Sequence, residues 1–81
     1  MSETRTPSAL TSAEVRAIRE KKHIGVGKLA DQLGRNRVTL GRKLNGDSEL
    51  GLNEFFEMAD ALGVKASDVL ASVEAEMDIA S

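Results

Sequence analysis

LADQLGRNRVTLGRKLNG, residues 29–46, reads as two short helices joined by a tight glycine turn. Leu29, Ala30 and Leu33 put apolar groups on one face of the first, Gly34 closes it, and Leu40 and Leu44 mark an apolar face on the second. Face, stop and face in this order make a helix-turn-helix pattern. The second helix carries Arg37, Arg42 and Lys43 with no acid among them, the chemistry expected of a helix that meets a polyanion.

The rest of the chain bounds what this stretch can do. Eighty-one residues suffice for one small domain with a modest core, not for a catalytic domain plus a sensor. With no run of eighteen apolar residues and no charged, apolar and small-residue leader, neither a membrane span nor a secretory signal is expected. A soluble protein of the cytoplasm follows as an expectation. There is no cysteine and a single histidine, so neither a disulfide framework nor a thiolate or histidine-rich metal site is expected. No cofactor is anticipated, and packing alone must hold the fold.

A formal net charge of -2 argues at first sight against a nucleic-acid partner. The average conceals a division. Residues 16–46 hold nine basic groups (Arg16, Arg19, Lys21, Lys22, Lys28, Arg35, Arg37, Arg42, Lys43) against Glu20 and Asp31, a balance of +7. Residues 47–81 hold nine acids against Lys65 alone, a balance of -8. Such segregation suits a protein with one face on phosphates and another kept away from them, although solvated helices can also cluster charge by chance.

Residues 1–9 are polar, contain Pro7 and lack periodicity, so they read as a mobile arm. Helix one is expected from Leu10, with Thr11 as cap, Glu14 completing a capping box, and Leu10 and Val15 spaced as a hydrophobic staple. Val15 and Ile18, with Ala17 alongside, would face the core, and Arg16, Arg19, Lys21 and Lys22 would point outward. His23 reads as a helix-end residue near the dipole, and Ile24 as tucking back. Helix two is expected over 26–33. Two glycines at its start lower helix propensity by roughly 1 kcal/mol each relative to alanine. Either their bare amides approach a phosphate closely or they form a flexible connection without a ligand. Gly25-Val26-Gly27-Lys28 lacks the strand, spacing and hydroxyl of a nucleotide-binding loop.

Asn36 suits the N-cap of helix three, expected over 37–44, with Gly46 in its C-terminal turn. Since Leu40 and Leu44 face inward, Arg37, Val38, Gly41 and Arg42 share the outward face. Arginine can grip guanine O6 and N7 with two hydrogen bonds, valine can touch a thymine methyl, and glycine lets a helix approach the groove floor. A plain solvated face would have little use for an exposed valine and a mid-helix glycine.

Residues 15–70, some fifty-five of the chain, resemble the lambda repressor-like, Cro/C1-type (XRE) helix-turn-helix family. The resemblance is carried by Ala30, Gly34 and Leu40, by LGRKLNG at 40–46, and by FEMADALGV at 56–64. It implies an all-α, compact five-helix domain whose third helix lies in the major groove of operator DNA. Carried over by position, it assigns base contacts to Arg37, Val38 and Arg42. It also assigns phosphate contacts to Asn36 and Asn45; beside these, Lys28, Arg35, Thr39, Lys43 and the main-chain amides of Val26 and Gly27 are candidates for phosphate contacts. Three positions depart from the family. Val26 replaces a glutamine that reaches DNA, Arg35 replaces an aliphatic residue, and Lys43 stands where a buried aliphatic is common, leaving packing to Leu44.

Helix four, expected over 52–62, would turn Leu52, Phe55, Phe56, Ala59 and Leu62 to the core and keep Glu54, Glu57 and Asp60 outside. Helix five would begin near Ala66 with Ser67 and Asp68 in its first turn. Its stripe of Ala66, Val69, Leu70, Val73 and Met77 runs past the end implied by the family, which makes Val73 and Met77 candidates for a dimer surface, or else part of a fraying tail. The organisation expected is an arm at 1–9, the helix-turn-helix domain at 10–77 and a tail at 78–81. Taken together, these features suggest a homodimeric transcriptional regulator of the phage or prophage repressor kind, nucleoid-associated in a bacterial or phage-infected cell. An alternative is an antitoxin or excision-type accessory protein with a protein partner on the acidic helix five. No enzymatic constellation of paired carboxylates with a histidine or nucleophile is expected.

Overall fold

Five helices follow one another in a computed structural model that describes residues 6–80, with the side chains of 79 and 80 outside the description. They are α1 (Pro7–Lys21), α2 (Val26–Leu33), α3 (Arg37–Leu44), α4 (Leu52–Leu62) and α5 (Ala66–Ala80). The architecture is all-α among the described residues, and none of these helices is long and apolar enough to cross a membrane. Helices α2, α3 and α4 span the residues expected from the sequence, 26–33, 37–44 and 52–62. Helix α5 packs mainly along α1, α2 lies against α3 and α4, and α1 crosses both α3 and α4.

The core follows from which face each helix has to hide. Val15, Leu29, Ala30, Leu40, Leu44, Phe55, Met58, Leu62 and Val69 form one buried cluster to which every helix contributes. Ile18, Ile24, Val26 and Leu33 pack against it from the side. Four of the five helices end in a left-handed residue: Gly34, Gly46, Gly63 and, on α1, His23 at φ 59°. At each of these ends the left-handed residue and its successor donate amides back to the last turn, as in Ile24 N–H to the Arg19 carbonyl and Arg35 N–H to the Ala30 carbonyl. Histidine enters this region more readily than most side chains do.

Helix α1 departs most from its sequence reading. It starts at Pro7, three residues before Leu10, because proline at the first helical position has its φ already set and lacks an N–H that would go unpaired there. Thr6, not Thr11, is the cap and accepts the Ala9 N–H at 3.1 Å. Thr11 is inside the helix, buried, donating its hydroxyl to the Pro7 carbonyl at 2.7 Å. Glu14 therefore completes no capping box. Of the arm expected at 1–9, residues 1–5 lie outside the described residues and 7–9 are the first turn of α1.

The faces of three helices also need correction. Ala17 is exposed, whereas Arg16 and Arg19 turn inward to backbone carbonyls. On α4, Leu52 and Phe56 stand in solvent at 67% and 52% exposure, and Met58 takes the core position between Phe55 and Ala59. Glu54 is half-buried. On α5, Val73 is buried within the chain, so of the two dimer candidates only Met77 reaches the surface.

Candidate nucleic-acid interface

Helix α3 is held from both ends and from below. At its start the Asn36 side chain accepts the Thr39 N–H at 3.0 Å, which satisfies one of the amides that an N-terminus leaves open. At its end, α1 supplies donors: the Ser12 hydroxyl reaches the Lys43 carbonyl at 2.7 Å and Arg16 Nη1 the Leu44 carbonyl at 3.2 Å. One helical stripe of α1 carries these groups. Ser8, Ser12, Arg16 and Arg19 fall on it, with Ser8 accepting the Leu50 N–H and Arg19 donating to the Ile24 carbonyl. Ser8 falls in the expected arm and Ser12 in the expected first turn of helix one, so neither has a partner expected from sequence. Here Ser12 binds the last turn of α3 and Ser8 the segment that leads into α4. Leu40 and Leu44 then press the underside of α3 into the core at 1% and 2% exposure.

The outward face of α3 is left open. Arg37, Val38, Thr39 and Arg42 are exposed, Val38 by 66%, and Gly41 lies between them. Among the described residues, neither the Arg37 nor the Arg42 side chain has a hydrogen bond or ion pair. A groove of about 460 Å³ runs between α2 and α3, lined by Gly27, Lys28, Asp31, Arg35 and Arg37. Val26 packs its side chain against the core and Gly25 offers no side-chain cap, so no side chain caps the first amides of α2. The Arg37 guanidinium lies beside them at Gly27.

Gly27 has a steric reason to be glycine. A Cβ there would stand 3.1 Å from Nη1 and 3.2 Å from Cδ of Arg37, so the arginine lies directly over the bare backbone of α2. Gly27→Ala is expected to act with opposite signs on two measurements. Thermal unfolding should show stability higher by up to about 1 kcal/mol, from helix propensity, while duplex binding weakens severalfold as Arg37 is pushed aside. A variant with unchanged binding would show that the position of Arg37 is immaterial.

Arg35 and Lys43, both expected to contact phosphates, form ion pairs with carboxylates of α4. Arg35 bonds Glu57 through Nε and Nη2, at 3.0 and 2.7 Å, and lies 3.5 Å from Glu54. Lys43 donates to Glu54, whose other oxygen accepts the Gly51 N–H at the start of α4 at 3.0 Å. Glu54 thus joins three segments with a side chain only 14% exposed. The hydrogen bond from Lys43 foremost, helped by the Gly51 amide and by both cations, holds its carboxyl below the usual range, against the opposing effect of burial. The hydrogen bonds that Arg35 donates to Glu57 likewise raise its pKa.

A lowered folded pKa means that the contribution of Glu54 is complete above its ordinary value and is lost as pH falls through the folded one. Urea unfolding should therefore lose midpoint on acidification below about pH 4.5. Glu54→Gln should flatten that loss and lower stability at neutral pH by about 1–2 kcal/mol. An unchanged acid slope in the variant would remove Glu54 from that role.

The remaining expected site residues are exposed near this face. Lys28 lies in the groove, and Asn45 follows α3 with its Oδ1 3.5 Å from Arg16 Nη1. Asn36 spends its side-chain oxygen on the cap. No group of three or more metal-ligating side chains is gathered among the described residues. No family model, no curated protein and no solved structure matches the chain. The likeness to the Cro/C1-type family therefore rests on the residues that carry it.

Proposed function

We propose that this chain is a sequence-specific double-stranded DNA-binding regulator of transcription. In this reading it has a lambda repressor-like helix-turn-helix fold and works in the cytoplasm as a phage- or prophage-type repressor. One observation carries it: α3 is fixed at both ends and underneath, yet Arg37, Val38 and Arg42 on its outer face are exposed and the two arginines have no intramolecular partner among the described residues. A protein has little structural use for a rigid helix with unpaired guanidiniums at both ends of an exposed apolar residue. A DNA reader needs those features, since bidentate arginine contacts to guanine require a fixed approach and the valine complements a thymine methyl.

The groups around that face have the positioning role. Lys28, the open amides of Val26 and Gly27, Thr39 and Asn45 contact phosphates, while Arg35 and Lys43 stiffen the unit through α4 instead. A homodimer presents two such helices to successive major grooves about 34 Å apart, so its site is an inverted repeat. Selection of bound duplexes from a random pool tests the reading. Enrichment of one motif with dyad symmetry and steep salt dependence is expected, and a pool that stays random would overturn it.

A further inference from the structure

Arg35 belongs to two surfaces at once. It follows the Gly34 turn and lines the α2–α3 groove together with Lys28 and Arg37, yet its guanidinium also reaches Glu57 on α4. Nε and Nη2 both donate to one oxygen, Oε1, at 3.0 and 2.7 Å, and among the described residues Glu57 has no other cation. The two side chains are 34% and 46% exposed, so the pair is open to water. Lys43 and Glu54 are built differently. They are 21% and 14% exposed, and the Glu54 carboxylate also takes the Gly51 N–H at 3.0 Å and lies 3.5 Å from Arg35. Parting that pair would leave a largely buried carboxylate without its nearest cation, whereas parting Arg35 from Glu57 exposes two groups that water already serves.

An exposed pair of this kind exchanges partners readily, and a phosphate diester offers a guanidinium the same two-oxygen acceptor that a carboxylate does. If Lys28 and the amides of Val26 and Gly27 bring a backbone phosphate to the groove, it arrives at the wall that Arg35 forms. We propose that Glu57 is a built-in competitor for the duplex: it occupies Arg35 in the free chain, and on binding Arg35 passes from the Glu57 carboxylate to a backbone phosphate, while Lys43 stays with Glu54. This goes beyond the stiffening that the Arg35–Glu57 pair gives the free chain, and it rests on the reading of the chain as a DNA-binding protein. Its consequence is a discount on the phosphate contacts, which are alike on every sequence, so that the base contacts of α3 make up a larger share of the affinity.

Fluorescence anisotropy of the full chain on the selected duplex and on a scrambled one, over a series of salt concentrations, tests it. Glu57→Gln is expected to tighten both duplexes equally, by roughly two- to fivefold. Arg35→Ala should weaken both and reduce the salt slope by about one. Adding Glu57→Gln to Arg35→Ala should then change affinity much less than Glu57→Gln does alone. That coupling separates exchange from the simple loss of an acid near DNA, which would help equally with or without Arg35. Both side chains are outside the core cluster, so the variants should keep the circular dichroism of the wild type. Duplex binding that Glu57→Gln leaves unchanged, or a gain that persists in full without Arg35, would overturn the proposal and leave DNA reading intact. An unchanged salt slope in Arg35→Ala would overturn it too, because Arg35 would then meet no phosphate. No duplex binding by the wild type or any variant would overturn the DNA reading, and the exchange with it.

Discussion

Arg37→Ala and Arg42→Ala are each expected to weaken binding to the preferred duplex by roughly 1–3 kcal/mol, about five- to more than a hundredfold, with a much smaller loss on random DNA. The magnitude is that of a bidentate arginine–guanine contact. Neither arginine side chain holds the protein together, because neither has a hydrogen bond or ion pair among the described residues, so unfolding should be nearly unaffected. Lys28→Ala supplies the contrast. An exposed lysine in the groove can neutralise a phosphate but has no geometry for a base edge, so its loss should weaken all duplexes alike and reduce the salt slope by about one. Fluorescence anisotropy on the selected site and on a scrambled one, at several salt concentrations, measures both quantities. Equal losses on the two duplexes for Arg37→Ala would sink base reading by that residue.

Leu40→Ala should be the most damaging single truncation of α3, at about 2–5 kcal/mol. The side chain is 1% exposed and pins the helix to the common core, so its removal leaves a cavity that surrounding helices can only partly fill. A chain of this length has a total stability of about 4–12 kcal/mol by the usual per-residue scale, so much of the population would unfold on mild heating. Val38→Ala is the internal control. It removes apolar atoms from the same helix, two residues away, but at 66% exposure it should alter urea unfolding by less than about 0.5 kcal/mol and act on DNA affinity instead. A comparable loss of stability from both variants would mean that the two sides of α3 are not distinguished as described.

The ends and faces of α2 and α3 were legible because local chemistry specifies them. Asn36 and Gly34 mark their boundaries whatever packs nearby, and Leu40 with Leu44 leaves no other face inward. The start of α1 was not, since Thr6-Pro7 and Thr11 with Glu14 are both good start signals. The choice between them fell to the longer helix, whose added turn supplies Ser8 to the Leu50 amide. On α4 the period admits Leu52 and Phe56 to the apolar side as readily as Met58, and only the positions of α1, α2 and α5 determine which of these is covered.

The same division holds for the charges. Their sequence alone determines that the basic groups cluster in 16–46 and the acidic ones in 47–81, and that α3 itself carries no acid. Tertiary structure decided which of those cations remain available. It turned Arg16 and Arg19 to carbonyls, tied Arg35 and Lys43 to Glu54 and Glu57, and left Arg37 and Arg42 open. The physical reason is range. Caps and turns are settled within a few residues of chain, whereas an ion pair depends on where a partner nineteen or twenty-two residues away comes to rest, and that is fixed by packing of the core.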